Sequence, residues 1–151
     1  MNRIREKVFS FLKNNNIEIL TYIHPTCNIA KNVVMGEGNI LLENITIQPF
    51  SKIGDGNILW SNVLIGHDSI IGSFNHFSAS VITGGRIIIG NRNFIGINST
   101  LKNDVEIANE VFIGAGTYVS SSLQNGDVYV SNTGKLVKGL KSIDLLQSLE
   151  I

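Results

Sequence analysis

The chain has 151 residues, 43% of them hydrophobic, and its twelve basic residues balance its twelve acidic ones. This length suffices for one domain with a core, and the zero net charge disfavours binding to nucleic acid or an anionic membrane surface. The single cysteine, Cys27, excludes an intramolecular disulfide and a cysteine-rich metal site. No apolar run approaches the roughly 20 residues that span a bilayer, and no apolar signal segment follows Met1. We therefore expect a soluble cytoplasmic protein.

The first predicted element is an amphipathic helix over residues 3–13. Ile4, Val8, Phe11 and Leu12 have helical spacing and form one apolar face, and three asparagines follow the segment. A helix this short has little stability alone and needs a surface to pack on. We expect it to cap the open end of the structure that follows.

From residue 23 the sequence repeats every six residues. Of the seventeen lead positions sixteen are apolar, whereas a 43% hydrophobic composition would fill roughly seven by chance. Thr83 is the one exception. The lead residues are Ile23, Ile29, Met35, Leu41, Ile47, Ile53, Leu59, Ile65, Ile71, Phe77, Thr83, Ile89, Ile95, Leu101, Ile107, Ile113 and Val119.

A second inward position lies two residues before each lead residue, and it is mostly small or β-branched. Asn39, Asn57, Asn75 and Asn93 occupy it in every third hexad. A helix cannot keep a period of six on one face, whereas short strands joined by tight corners can, stacking as a parallel β-helix. The longer interval between the asparagines indicates three hexads per coil and predicts that the four side chains form one stacked ladder.

Glycine often follows the lead residue, as in Ile65-Gly66, and we expect it there to relieve Cβ strain where the chain turns a corner. Hexapeptide β-helices resemble one another in winding left-handed. We therefore predict an all-β fold, a left-handed parallel β-helix over residues 23–122, preceded by the helix and linker of residues 1–22.

The period is lost after Val119. Val128-Tyr129-Val130 reads as a short strand and residues 142–149 as a terminal helix. Because an open coil exposes unpaired strand edges, we expect residues 123–151 to form a C-terminal cap.

The polar pair that could carry chemistry is His67-Asp68, which follows Ile65-Gly66 at a corner and should point outward. A histidine with a pKa near 6.5 is a suitable general base, and an adjacent carboxylate can orient the ring. A solvated turn histidine explains the same tripeptide, so the residues alone leave both readings open. Cys27 falls on an inward position, which favours a structural role over a nucleophile.

Several spaced motifs in residues 3–140 resemble the NeuD/PglD-type sugar acetyltransferases, a family of hexapeptide-repeat acyltransferases. The segment Tyr22–Thr26 is also similar to the junction between the two domains of that family. The motifs are Ile65–Gly72, Asn75–Ser78, Gly84-Gly85, Phe94–Ser99 and Phe112–Gly116.

The resemblance implies an acetyl-CoA-dependent homotrimer with active sites between neighbouring β-helices. His67 would be the general base and Asp68 its acidic companion, and His76 would contact the acetyl thioester. Gly85, one coil after His67, would donate its N–H to the thioester oxygen. Transfer would be direct, from acetyl-CoA to the amino group of a nucleotide-linked amino sugar in surface-glycan biosynthesis, with sugar O-acetylation as the alternative.

The resemblance also implies that Ile97 and Ala115 line the coenzyme cleft and that Lys135 meets coenzyme phosphates, with Lys138 and Lys141 nearby. Trp60 stands where the family often has a small polar residue. It would either stack on a sugar or base or be buried at the trimer interface.

The family's full-length members resemble a Rossmann-like sugar-nucleotide domain followed by this β-helix, whereas here residues 1–22 precede the first coil. Three alternatives follow from this departure. The acceptor differs, a separate subunit binds the nucleotide, or the coils themselves hold it.

Two other functions occur on this type of fold. A γ-type carbonic anhydrase needs three histidines on one metal, but His67 and His76 are half a coil apart and His24 lies more than two coils away, so no metal is expected. A structural or ice-binding β-helix would show an outward ladder of Thr or Ser, which the sequence lacks.

Overall fold

The computed structural model describes residues 2–131. It contains one helix, α1 (Asn2–Asn14), followed by eighteen two-residue strands. The strands are β1 (Tyr22–Ile23), β2 (Asn28–Ile29), β3 (Val34–Met35), β4 (Ile40–Leu41), β5 (Thr46–Ile47), β6 (Lys52–Ile53), β7 (Ile58–Leu59), β8 (Leu64–Ile65), β9 (Ile70–Ile71), β10 (His76–Phe77), β11 (Ile82–Thr83), β12 (Ile88–Ile89), β13 (Phe94–Ile95), β14 (Thr100–Leu101), β15 (Glu106–Ile107), β16 (Phe112–Ile113), β17 (Tyr118–Val119) and β18 (Val128–Tyr129).

The strands stack as a parallel β-helix, as the period predicts. Each of β1 to β17 ends on a lead residue, and consecutive strands pass to three different sheets. Sheet A holds β1, β4, β7, β10, β13, β16 and β18, sheet B holds β2, β5, β8, β11, β14 and β17, and sheet C holds β3, β6, β9, β12 and β15. Ile40 pairs with Ile58, three strands further along the chain, which confirms three hexads per coil.

The two inward rows fill the core. Lead residues such as Leu59, Ile65 and Phe77 are fully buried, and so are second-position residues such as Val81 and Ile87. Burial of one such side chain stabilises the fold by about 1.5–3 kcal/mol. The two rows therefore form a mainly aliphatic core that runs along the inside of the coil, with the short strands around it.

The asparagine ladder is confirmed. The Oδ1 atom of Asn39 accepts the main-chain N–H of Asn57 at 2.8 Å, that of Asn57 accepts the N–H of Asn75 at 2.9 Å, and that of Asn75 accepts the N–H of Asn93 at 2.8 Å. All four side chains are buried. Each amide thus satisfies a buried donor of the next coil, which keeps successive coils in register.

The expected reason for the corner glycines is wrong. The left-handed backbone conformation occurs two residues later, for example at Asp68 (φ 56°) and Arg86 (φ 56°), and not at Gly66 or Gly84. A Cβ on Gly66 would instead collide with the main chain of Gly84. Glycine is needed there because two coils approach closely, and not because the corner requires a positive φ.

Helix α1 does not cap the open end as predicted; it lies along the side of the coil. Asn2 donates to the carbonyl of Asn93 at 2.9 Å, Arg5 donates to the carbonyl of Gly56 at 2.7 Å, and Lys13 pairs with Glu37 at 2.6 Å. A helix of thirteen residues is about 20 Å long. Successive coils are about 4.8 Å apart, so four coil spacings rise by about 19 Å, which is close to the length of the helix. The helix therefore spans most of the coils along one edge.

The face of α1 that makes these contacts carries Asn2, Arg5 and Lys13, and also Phe9, whose ring packs edge-on against Phe74 with a centroid distance of 5.4 Å. Carbonyls and charged groups recur every coil along that edge, so Asn2, Arg5 and Lys13 find partners there. The apolar residues Ile4 and Phe11 stay exposed, with 67% and 63% of their surface accessible.

After Val119 the chain continues to stack on the preceding coil, but one corner is two residues shorter than in the regular repeat. Leu123 bridges Ile107, and the predicted strand is β18, which pairs with β16. The predicted helix 142–149 lies outside the described residues, and the left hand of the coil stays a prediction. Between residues 2 and 131 no helix has the length and apolar character needed to cross a membrane.

Candidate functional site

His67 and Asp68 lie on a corner between β8 in sheet B and β9 in sheet C, which we call the BC corner (residues 66–69 in this coil). Asp68 adopts the left-handed conformation that aspartate tolerates better than most residues. Its Oδ2 atom lies 2.7 Å from Nδ1 of His67, and both side chains are about half exposed. Because Nδ1–H donates to the carboxylate, the lone pair of Nε2 is free to accept a proton.

Gly85 lies on the BC corner one coil later, directly beneath the His67 ring. A Cβ on Gly85 would be 2.6 Å from Nε2 and 2.7 Å from Cε1 of His67. The carbonyl of His67 accepts the N–H of Arg86 at 2.8 Å, which ties the two corners together. Within residues 2–131 the N–H of Gly85 has no hydrogen-bond acceptor. A basic nitrogen and an unused N–H donor therefore lie side by side.

His76 is not part of this group in a single chain. It lies on β10 in sheet A, half a coil from His67 and across the triangular section of the β-helix. Its ring stacks on Phe94 with a centroid distance of 5.0 Å, it is 9% exposed, and its Nδ1 has no partner among the described residues. Burial, and secondarily the charge of Arg5, lowers the pKa of His76, so the ring is neutral at neutral pH.

The remaining predicted residues lie on the corner between sheets A and B, next to His76. The Trp60 ring is 6.3 Å from that of His76, and 46% of Trp60 is exposed, so its side chain points outward. Ile97 is 48% exposed, and the exposed Ala115 follows it one coil later. Lys135, Lys138 and Lys141 lie outside the described residues. The predicted site thus divides into two groups, one at the BC corner and one at and beside sheet A.

The structure adds three residues to the BC corner that the sequence reading missed. The side-chain oxygen of Gln48 accepts the N–H of His67 at 3.1 Å. Arg86 makes two hydrogen bonds with Asp104, at 2.7 and 2.8 Å, and lowers the pKa of that carboxyl group. Arg86 and Asp104 follow Asp68 at intervals of one coil, so the coil period could have identified them.

Cys27 contacts the core and donates from Sγ to the carbonyl of Leu42 at 3.0 Å. His24 bonds the hydroxyl of Thr26 at 2.9 Å. In the described part of the chain, no three side chains of His, Cys, Asp or Glu gather as metal ligands would.

Residues 86–121 match the family model described as bacterial transferase hexapeptide (six repeats). A sequence comparison with curated proteins finds no match. Among solved structures, PerB from Caulobacter crescentus in complex with CoA and GDP-perosamine is 25% identical, with a TM-score of 0.85. The match covers 86% of this chain and 63% of PerB, so the chain spans less than two thirds of that protein.

Two further structures have the same fold. A point mutant of perosamine N-acetyltransferase from Caulobacter crescentus, also with CoA and GDP-perosamine, is 24% identical with a TM-score of 0.84, covering 86% of this chain and 62% of that one. The acetyltransferase domain of PglB from Neisseria gonorrhoeae FA1090, in complex with acetyl coenzyme A, is 23% identical with a TM-score of 0.84, covering 90% and 66%. The chain thus carries the repeat of the bacterial hexapeptide transferases on a β-helix similar to that of bacterial sugar N-acetyltransferases.

Proposed function

We propose that the protein transfers an acetyl group from acetyl-CoA to the amino group of a nucleotide-linked amino sugar in the cytoplasm, for surface-glycan biosynthesis. The observation that carries this proposal is the position of His67 Nε2 directly over Gly85, whose N–H has no acceptor among residues 2–131. The similarity to PerB, whose structure holds CoA together with GDP-perosamine, supports the choice of donor and acceptor.

His67 acts as the general base in this proposal. Its Nδ1–H is held by Asp68, so Nε2 accepts the proton that the acceptor amine loses as its nitrogen attacks the acetyl carbonyl. The new C–N bond forms as the C–S bond breaks, and coenzyme A leaves as thiolate. The carboxylate of Asp68 stabilises the imidazolium. The transfer is direct and needs no covalent enzyme intermediate, and Cys27, which contacts the core, takes no part in it.

Gly85 stabilises the transition state. Negative charge develops on the carbonyl oxygen during the attack, and a positioned main-chain N–H lowers the barrier by about 2.7–4 kcal/mol. The N–H of Gly85 is available because no other group of the described chain accepts it.

The residues that would hold acetyl-CoA fit an extended ligand. Ile97 and Ala115 present exposed apolar surface one coil apart, and the neutral ring of His76 can hydrogen-bond an acyl oxygen without adding charge. Acetyl-CoA supplies the acetyl group as a thioester. Contact of Lys135 with the coenzyme phosphates and stacking of Trp60 on the sugar belong to the same proposal.

The two groups of site residues meet if the protein is a homotrimer with sites between subunits. One coil takes three hexads, so His76 is level with the midpoint between His67 and Gly85, although it lies on the opposite side of the section. A rotation about an axis parallel to the coil preserves this level. It can therefore bring His76 of one copy to the gap between His67 and Gly85 of its neighbour.

The activity is tested by coenzyme A release from acetyl-CoA with nucleotide-linked amino sugars, and with free and glycan-linked sugars beside them. We expect release with the nucleotide-linked amines and a hydroxylamine-resistant amide product. A hydroxylamine-sensitive ester would support O-acetylation instead. If no sugar promotes release, the β-helix has a structural role and the proposal is wrong.

Subunit sharing is tested by mixing two inactive variants, H67A and H76A, by co-expression. If each site takes His67 from one copy and His76 from the next, random mixing in equal amounts leaves about one quarter of the sites intact. We expect about that fraction of wild-type activity. Each variant assayed alone is the control, and a mixture with no more activity than its components contradicts a shared site.

A further inference from the structure

Thr83 is the one polar residue in the lead row, and it is buried with 1% of its surface exposed. Its hydroxyl oxygen accepts the main-chain N–H of Gly66 at 3.0 Å. Gly66 directly precedes His67, and Thr83 lies two residues before Gly85. The irregular residue of the row therefore contacts the corner that carries the candidate base.

The contact replaces a main-chain hydrogen bond. At the equivalent positions of other coils, the N–H bonds the carbonyl of the lead residue in the next coil, as in Gln48 to Ile65 at 3.0 Å and Gly84 to Leu101 at 2.8 Å. For Gly66 that acceptor would be the carbonyl of Thr83. Strands β8 and β11 accordingly pair through Leu64 and Ile82, but Thr83 has no paired residue in β8.

Gly66 is also held from the previous coil, since the hydroxyl of Ser51 donates to its carbonyl at 2.9 Å. The peptide that joins Gly84 to Gly85 packs directly against Gly66, because a Cβ there would be 2.6 Å from the nitrogen of Gly85. The position of Gly66 therefore determines the spacing between the His67 ring and the N–H of Gly85.

We propose that Thr83 is a positioning residue for the acetyl transfer. Its hydroxyl diverts the N–H of Gly66 from the main-chain ladder and so fixes the spacing between His67 and Gly85. This inference rests on the proposed function. Thr83 is buried beneath the corner and acts only through Gly66 and the Gly84-Gly85 peptide.

Valine has nearly the shape of threonine and would complete the apolar row. In T83V the N–H of Gly66 can return to the carbonyl of residue 83, as in the other coils, so we expect unchanged or higher thermal stability. If Thr83 only stabilised the fold, T83V would change the thermal unfolding at most and would leave kcat unchanged. Loss of activity without loss of stability is therefore the distinguishing result.

The test compares T83V with T83S, which keeps the hydroxyl, by steady-state kinetics, thermal unfolding and amide NMR. We expect T83V to lower kcat about tenfold with little change in KM for acetyl-CoA, since the misplaced N–H acts in the transition state. T83S should keep kcat within about twofold of wild type. The amide signals of Gly66 and Gly85 should shift in T83V and not in T83S.

Full activity of T83V, or a loss of kcat that parallels a loss of stability, overturns the role of Thr83. The failure of the proposed function gives a different result, because wild-type protein would then release no coenzyme A with any acceptor. Amide signals of Gly66 and Gly85 that do not change in T83V overturn the inference in either case.

Discussion

The contact between Gly85 and His67 predicts that G85A separates catalysis from stability. The added Cβ would lie 2.6 Å from Nε2 of His67, whereas nonbonded heavy atoms approach to about 3.5 Å. The ring must therefore move by roughly 0.9 Å, and a displacement of about 1 Å at a reacting group can lower the rate about 100-fold. We expect kcat to fall by that factor, which raises the barrier by about 2.7 kcal/mol.

The same substitution should change the free energy of unfolding by less than about 1 kcal/mol. Gly85 does not have a positive φ, and the His67 side chain is 44% exposed and can swing outward. The matched control is G66A, whose Cβ would collide with the main chain of Gly84, which cannot move away. Overpacking of this kind costs about 1–3 kcal/mol or more.

The assay combines coenzyme A release, chemical denaturation and the imidazole NMR signals of His67. G85A should have wild-type denaturation, shifted His67 signals and a reduced kcat, whereas G66A should unfold at a lower denaturant concentration. Unchanged His67 signals in G85A, or destabilisation equal to that of G66A, would refute this account of the corner.

Three further predictions concern the ladder, the buried histidine and helix α1. N75A leaves the buried N–H of Asn93 without its acceptor and should destabilise the protein by about 3 kcal/mol, as measured by denaturant unfolding. Unchanged stability would contradict the role of the asparagine ladder. Burial holds the pKa of His76 below its unfolded value, so the unfolded chain binds the proton first and the stability of the wild type should fall as the pH drops below about 6.5. H76F lacks this titrating group, so its stability, measured by unfolding at pH 7.5 and 5, should fall less. An equal fall in both proteins would contradict this assignment. Hydrogen bonds from Arg3 and Arg92 lower the pKa of Glu110 to about 2. The ionised carboxylate therefore stabilises the fold fully above its unfolded pKa of 4.5, and this contribution is lost as the pH falls toward 2. The unfolding midpoint of E110Q should depend less on pH in this range, and the same pH dependence in both proteins would contradict the prediction.

Much of the site was accessible from the sequence because the coil converts chain distance into position. His67 and Gly85 are three hexads apart and lie on successive BC corners, as the period predicts. The same period predicts that His76 lies half a coil away. It does not predict the bond from Gly66 to Thr83, since this bond is a local departure from the regular ladder.

The predicted location of helix α1 was wrong for a related reason. Its apolar spacing predicts a helix but not the surface on which the helix packs. Polar partners recur at each coil along one edge, where they bind Asn2, Arg5 and Lys13, and Phe9 packs on Phe74 beside them.

The repeat, the inward rows and the asparagine ladder follow from the sequence alone, because they depend only on which residues are apolar or amide-bearing in each hexad and in every third hexad. The need for glycine at the corners, the location of α1 and the bond from Gly66 to Thr83 became known only from the structure. These features depend on contacts between atoms of different coils. The spacing of residues along the chain predicts which residues are neighbours, but not the geometry of their contacts.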